Sequence, residues 1–148
     1  MANRITSPFG ARSTAREVVG GHDLTGLTAV VTGAARGIGA QIARVFARAG
    51  AHVIAVDIPA AGDALSKVAN EIGGTSLGLD ITSPDAGAKI AEAVARHADK
   101  LDVIVHNAGI TRDKLFVNTD EARWNSVVDV NLGAQFRINE VLLDPATK

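Results

Sequence analysis

The sequence predicts an α/β fold in which a parallel sheet carries helices on both faces. Three observations support this prediction. Short β-branched apolar segments alternate with segments of helical periodicity, a glycine-rich turn joins the first strand to the first helix, and no repeat or low-complexity segment interrupts the alternation. Because parallel strands need helical crossovers, and these crossovers are right-handed, we expect a doubly wound sheet with both faces buried.

The first half of the alternation is organised around the glycine turn. A strand over 27–31 leads into the turn, and a helix follows it. The apolar residues of this helix recur at helical spacing and are Ile38, Ile42, Val45, Phe46 and Ala49. A second strand covers 52–56. The next helix covers 61–72 and ends at Gly73, since a glycine tolerates the left-handed conformation that follows a helix; its inward residues are Leu65, Val68 and Ile72.

The second half repeats the pattern without a glycine-rich turn. A third strand is predicted over 75–79 and a fourth over 101–105. Between them, Ser83 and Pro84 are typical of an N-cap and the first residue of a helix. The last helix starts near Thr119, with acidic residues at its positive end. At helical spacing these two helices carry Ile90, Val94, Trp124, Val127, Val128, Asn131, Ile138 and Leu142.

Composition allows a single core and excludes several classes of function. The chain of 148 residues is 47% hydrophobic and has a formal net charge of -1, which argues against nucleic acid or an acidic membrane surface as a partner. Aromatic residues make up only 3%, so bases have no stacking platform. No apolar run approaches the roughly 18 residues of a membrane span. We divide the chain into a polar arm over 1–25 and one domain over 26–148.

Metal and thiol chemistry are also not indicated. The chain has no cysteine, so a disulfide framework or a thiolate site is impossible and a reducing cytoplasm is permitted. Its four histidines lack the spacing of metal ligands, and we predict no metal site.

The glycine turn is a candidate phosphate cradle. It reads TGAARGIG, and its candidate binding residues are Thr32, Gly33, Arg36, Gly37, Ile38 and Gly39. Glycines let the backbone approach a pyrophosphate closely, and the free N–H groups at the start of a helix attract negative charge. The spacing differs from the common G-x-G-x-x-G fingerprint, and a plain strand-to-helix turn is the alternative interpretation.

A carboxylate at the end of the second strand strengthens the cofactor interpretation. Asp57 lies 18 residues after Gly39, near the position, about 20 residues on, of a ribose-binding acid. It favours NAD, because a 2′-phosphate beside it would meet like charge at a cost of about 1 to 4 kcal/mol. Arg36 is the opposing signal, since it could pair with the 2′-phosphate of NADP.

These motifs resemble those of the short-chain dehydrogenase/reductase family, whose signature T-G-x-x-x-G-x-G is matched in full from Thr32 to Gly39. The sequence HNAG at 106–109 is similar to the family's N-N-A-G, with histidine in the first position. VNL at 130–132 is similar to the segment that carries the family's catalytic asparagine, and LDI at 79–81 to the segment that contacts adenine. The resemblance thus implies cofactor contacts at Asp80, Ile81, Asn107, Ala108 and Gly109, and a catalytic role for Asn131.

The family also implies a fold and a reaction. Its Rossmann-type sheet would have the order 3-2-1-4 here, which places the crevice between the first and fourth strands. Within the family, the segment NAGITRDKL at 107–115, followed by Trp124 and Asn131, is most similar to the 3-oxoacyl-(acyl-carrier-protein) reductases of fatty-acid synthesis. The implied substrate is a 3-oxoacyl thioester on a carrier protein or coenzyme A, in a cytoplasmic enzyme that forms homo-oligomers.

The catalytic half of such an enzyme is missing from the sequence. The family's proton donor is a tyrosine, and this chain has no tyrosine. The family's serine, tyrosine and lysine belong to a fifth strand and the helix after it, so we expect the fold to be truncated before that strand and the chain alone to be inactive. The alternative is a non-catalytic nucleotide-binding module, or one that docks onto a partner.

Overall fold

The computed structural model describes residues 7–144, and within them the sheet has the predicted topology. Four parallel strands run in the order β3-β2-β1-β4, which confirms the order 3-2-1-4. Their bounds are β1 Thr28–Thr32, β2 His52–Asp57, β3 Thr75–Gly78 and β4 Val103–Val105. At the centre, Val30 of β1 pairs with Ile54 of β2 and with Ile104 of β4. The first six residues of the predicted arm and residues 145–148 lie outside the described residues.

Helices connect the strands and cover both faces of the sheet. They are α1 Ala15–Val19, α2 Gly37–Arg48, α3 Gly62–Ile72, α4 Ala86–His97, α5 Glu121–Val128 and α6 Ala134–Leu142. Two short 3₁₀ turns, Pro59–Ala61 and Phe116–Asn118, lie in the connections. A π-helical turn, Asp129–Gly133, joins α5 to α6.

The core consists of two layers, one on each face of the sheet. Val30 is fully buried on the face covered by α4 and α6, where it packs with Ile90 and Ile138. Its neighbour Val31 is fully buried on the opposite face with Leu65 from α3. Successive strand residues point to opposite faces, so a strand buried on both sides reads as a continuous apolar run. This is why β1 and β2 were predictable from sequence.

The start of α4 differs from the prediction. Ser83 and Pro84 do not cap the helix; it begins at Ala86 after Asp85, and no side chain caps it. The cause lies upstream, where the Asp80 carboxylate accepts the N–H of Thr82 and the Asp80 carbonyl accepts the N–H of Ser83. The chain is therefore still in a turn at Ser83, and the helix starts later.

Smaller differences concern exposure and element length. Ile38, the first position of the apolar pattern of α2, points outward with 74% of its surface exposed. Strand β4 is two residues shorter than predicted at its start, and β3 ends at Gly78. Helix α5 begins after Asp120, whose side chain accepts the N–H of Arg123, so Thr119 lies before the helix.

The described part of the predicted polar arm contains a short helix that the sequence analysis did not predict. Thr14 and Glu17 form a capping box at the start of α1: the Thr14 hydroxyl accepts the N–H of Glu17 at 3.2 Å, and the Glu17 carboxylate accepts the N–H of Thr14 at 2.7 Å. The Thr14 bonds hold the pKa of Glu17 below its ordinary value.

Candidate cofactor site

A cleft of about 670 Å³ opens at the carboxyl ends of β1, β2 and β4. Ligands of open α/β sheets bind in this position, above the point where the strand order reverses. Among the residues predicted from sequence, the cleft is lined by Gly33, Arg36, Asp57, Asp80, Ile81, Asn107, Ala108 and Gly109. The structure thus brings together residues from the carboxyl ends of all four strands.

The glycine turn adopts a conformation that its glycines make possible. Gly33 and Gly37 have φ values of +67° and +58°, in the left-handed region where other residues are strained. Position 39 requires glycine for a steric reason, because a Cβ there would collide with the carbonyl oxygen of Gly33 and lie 2.5 Å from Nδ2 of Asn107. The turn is therefore packed tightly against the loop that follows β4.

Thr32 and Asn107 lock these two loops together. The Thr32 hydroxyl accepts the N–H groups of Asn107 and Ala108, both at 3.0 Å, and lies 3.3 Å from the carbonyl oxygen of Val105, to which it donates. In return, the Asn107 amide donates to the carbonyl oxygens of Thr32 at 3.0 Å and Gly33 at 3.2 Å. Thr32 is fully buried, so it stands behind the cleft wall as a support.

The Asp57 carboxylate also contacts the glycine turn. One oxygen accepts the N–H of Ala35 at 2.9 Å, and the other accepts the N–H of Ile58 at 2.8 Å. Each carboxylate oxygen still has a lone pair for a further donor. Asp57 therefore stabilises the turn from the cleft side and keeps acceptor capacity toward the cleft.

Asp80 shapes a second wall of the cleft. Its Oδ1 accepts the N–H of Thr82 at 2.9 Å and the Thr82 hydroxyl at 2.7 Å. The Thr82 bonds, with the backbone bond the larger cause, hold the pKa of the Asp80 carboxyl below its ordinary value. The carboxylate is thus ionised at neutral pH, and its charge faces the cleft beside Ile81.

Asn131 lies in the π-helical turn and pairs with one peptide unit of the neighbouring loop. Its Oδ1 accepts the N–H of Ile110 at 2.8 Å, and its Nδ2 donates to the carbonyl oxygen of Ile110 at 2.9 Å. The Asn131 carbonyl in turn accepts the side-chain amide of Gln135 at 2.7 Å. π-turns within helices occur often at functional sites. This one places Asn131 directly behind Gly109 and Ile110, which line the cleft.

Known proteins share this architecture. The family model described as Enoyl-(Acyl carrier protein) reductase matches residues 33–145. A solved short-chain dehydrogenase/reductase from Brucella melitensis, titled a glucose/ribitol dehydrogenase, superposes with a TM-score of 0.77 at 27% identity over 82% of this chain and 51% of that chain. The chain belongs to the short-chain dehydrogenase/reductase family.

Two curated members of the family are 3-oxoacyl-(acyl-carrier-protein) reductases. The 3-oxoacyl-(acyl-carrier-protein) reductase of Pseudomonas aeruginosa is 39% identical over 128 residues, which are 84% of this chain and 52% of that protein. The reductase of that name from Thermotoga maritima is 38% identical over 123 residues, 81% of this chain and 50% of that protein. The chain therefore spans about half the length of the curated relatives it matches.

The cleft has the features that a dinucleotide cofactor of this family needs. Directly after Arg36, which lines the cleft, helix α2 starts at Gly37 without any side-chain cap, so the N–H groups of its first turn are left for a ligand beside the cleft. A Cβ at Gly37 would meet no atom within 4 Å, which shows that space is open there. The carboxylates of Asp57 and Asp80 and the loop that begins at Asn107 line the remainder of the cleft. The residues present fit the cofactor.

The remaining predicted residues do not line the cleft: Thr32, Gly37, Ile38, Gly39 and Asn131. Thr32, Gly39 and Asn131 support its walls, and Gly37 and Ile38 belong to the first turn of α2.

Several residues line the cleft but were not predicted from the sequence: Ile58, Ala61, Thr82, Ile110, Arg112, Ser126 and Val130. Most of them directly follow or precede a predicted residue in the sequence, and this adjacency could have indicated them. No sequence pattern indicates Ser126, because it reaches the cleft only through the packing of α5.

The described residues contain neither a metal site nor a membrane-spanning helix. Over 7–144, no three side chains of the ligating types come together as a metal site. In the same range, no helix is both long enough and apolar enough to cross a bilayer.

Proposed function

We propose that the chain is the cofactor-binding part of an NAD(P)-dependent oxidoreductase that reduces a 3-oxoacyl thioester to the 3-hydroxyacyl thioester. The observation that carries this proposal is the cleft, in which the glycine turn and the loop after β4 are joined by the Thr32 and Asn107 hydrogen bonds. The similarity to two 3-oxoacyl-(acyl-carrier-protein) reductases supports the substrate class.

NADH is the favoured cofactor, and NADPH is the second possibility. Asp57 lines the cleft, and if it binds the adenosine ribose as proposed, its charge repels a 2′-phosphate there. Arg36 is exposed and lines the same cleft, so its guanidinium is the group that would pair with the 2′-phosphate of NADPH. The choice between the cofactors depends on whether Asp57 repels the 2′-phosphate of NADPH more strongly than Arg36 attracts it.

In this proposal, the predicted residues contact different parts of the cofactor. The N–H groups at the start of α2 bind the pyrophosphate, Asp57 binds the adenosine ribose, and Asp80 with Ile81 borders the adenine. Asn107, Ala108 and Gly109 line the nicotinamide side. When bound, the nicotinamide supplies hydride to the 3-keto carbon. Asn131 holds the loop at Ile110 in place and has the catalytic role that the family motif implies.

The same proposal predicts binding without turnover by the 148-residue chain. Reduction needs a proton donor for the developing alkoxide, and the family's donor, tyrosine, does not occur in the sequence. A second candidate function follows from this observation: a nucleotide-binding or partner-docking module without chemistry of its own.

We also propose that the protein forms homo-oligomers and acts in the cytoplasm on substrates attached to a carrier protein or coenzyme A. Large apolar side chains recur every four residues along α5, the π-turn and α6, and all are substantially exposed: Trp124, Val128, Leu132 and Phe136. A continuous exposed apolar stripe of this kind favours association with a second copy of the chain.

A titration with NADH and NADPH tests the proposal. Calorimetry on the 148-residue chain should give binding of both, tighter for NADH, and acetoacetyl-coenzyme A added afterwards should leave the NADH absorbance unchanged. Asn107→Ala should weaken NADH binding, because it removes the amide that holds Gly33, whereas the exposed Asn70→Ala on α3 is the matched control. Absence of NADH binding would refute the cofactor site, and thioester reduction would refute the inactive chain.

A further inference from the structure

Arg137 on α6 connects two segments that border the cleft from different sides. Its Nη2 lies 2.7 Å from Oδ1 of Asp129, the first residue of the π-turn. The same nitrogen donates to the carbonyl oxygen of Thr82 at 3.4 Å, across 55 residues of sequence. Neither contact was indicated by any sequence motif.

Both partners of Arg137 are coupled to residues of the cleft. Thr82 lines the cleft and is bonded to Asp80 through its N–H and its hydroxyl. Asp129 opens the π-turn, within which Asn131 clasps the peptide of Ile110. One guanidinium group therefore links the wall formed by Asp80 and Thr82 to the wall formed by Ile110.

The surroundings of Arg137 hold the guanidinium in this place. A Cβ at Gly133 would lie 3.0 Å from both Nη1 of Arg137 and Oδ1 of Asp129, so the absence of a side chain there makes room for the pair. Within the described residues, Nε of Arg137 is buried without a hydrogen-bond partner. Burying a donor without a partner is unfavourable in free energy. The packing of α6 therefore holds the Arg137 guanidinium in place despite this unfavourable contribution.

We infer that Arg137 is a positioning residue, which fixes the distance between the Asp80–Thr82 wall and the Asn131–Ile110 wall. It does not itself line the cleft. Its importance for cofactor binding rests on the proposed function, whereas its effect on the two walls does not. Loss of the guanidinium would leave each wall held only by its own hydrogen bonds, so the bonds of Thr82 to Asp80 and of Ile110 to Asn131 would open more often.

Amide hydrogen exchange on the 148-residue chain tests this inference directly. Arg137→Gln should accelerate exchange at the N–H groups of Thr82 and Ile110 by about three- to tenfold and leave Ile54, in the centre of the sheet, unchanged. Arg123→Gln is the matched control: Arg123 has the same side-chain exposure as Arg137, 38%, and pairs with Asp120 at 3.1 Å in the first turn of α5. It should leave both amides within twofold of wild type.

Two further measurements separate positioning from general stability. Arg137→Lys keeps a cation for Asp129 and the Thr82 carbonyl, so it should restore most of the protection that Arg137→Gln removes. Equal acceleration at Thr82, Ile110 and Ile54, or no rescue by lysine, would overturn the inference. NADH affinity should fall about threefold in Arg137→Gln; an unchanged affinity in a chain that binds NADH would overturn the link to binding. If wild type does not bind NADH, the proposed function fails, and the exchange data still decide the role of Arg137.

Discussion

Gly39→Ala should damage both stability and cofactor binding, although it adds a single methyl group. The new Cβ would overlap the carbonyl oxygen of Gly33 and lie 2.5 Å from Nδ2 of Asn107, and the Gly33 carbonyl carbon would be 2.8 Å away. Two of these atoms are backbone, so the turn itself must shift. Overpacking of this kind costs about 1 to 3 kcal/mol, and each displaced Asn107 hydrogen bond adds about 1 kcal/mol. We expect a loss of about 2 to 4 kcal/mol in the free energy of unfolding.

Gly62→Ala is the matched control for this substitution. Gly62 is the first residue of α3, has a φ of −52°, and a Cβ there would meet no atom within 4 Å. Alanine also favours a helix over glycine by up to about 1 kcal/mol, so this variant should be neutral or slightly more stable. Urea unfolding and NADH calorimetry on both variants provide the comparison. The reasoning would be refuted if Gly39→Ala lost less than about 0.5 kcal/mol and bound NADH like wild type.

Three further predictions concern charge, pKa and association. Asp57→Asn removes the charge but keeps an acceptor for the Ala35 N–H, so the ratio of NADPH to NADH affinity should rise about tenfold by calorimetry; an unchanged ratio contradicts the ribose assignment. Thr82→Ala should raise the pKa of the Asp80 carboxyl in a carbon-13 NMR titration, since it removes one of the two hydrogen bonds to the carboxylate. Because the pKa of Asp80 in the wild type lies below its ordinary value of 3.8, these bonds stabilise the turn fully above pH 3.8. That stabilisation is lost as the pH falls further. Phe136→Asp, at an exposed position, should shift sedimentation toward the monomer without changing NADH affinity.

The sheet and the meeting of two loops were predictable because they follow from local patterns. Strands such as His52–Asp57 are buried on both faces and read as apolar runs, and the rules for parallel sheets restrict how such strands are ordered. Residues at the carboxyl ends of neighbouring strands then meet at one edge. The loops that begin at Gly33 and Asn107 converge for this reason.

The supporting contacts of the site were not predictable, because they depend on tertiary packing. The π-turn around Asn131 has no composition that separates it from an α-helix. The bond from the Ala35 N–H to Asp57 joins residues 22 apart, and the Arg137 contact to Thr82 joins residues 55 apart. The late start of α4 has the same origin. Asp80 accepts the N–H groups of Thr82 and Ser83, so the chain is still in a turn at Ser83 and this residue does not cap the helix.

The mutual bonds of Thr32 and Asn107 have a consequence for the order in which the protein takes shape during synthesis. The glycine turn is made early, yet its partner lies 75 residues further along the chain. While the ribosome is still translating that interval, the β1, α2 and β2 segment has no amide to hold the carbonyls of Thr32 and Gly33. The glycine turn therefore acquires its final form only after Asn107 has left the exit tunnel, because that amide supplies the bonds to its two carbonyl groups.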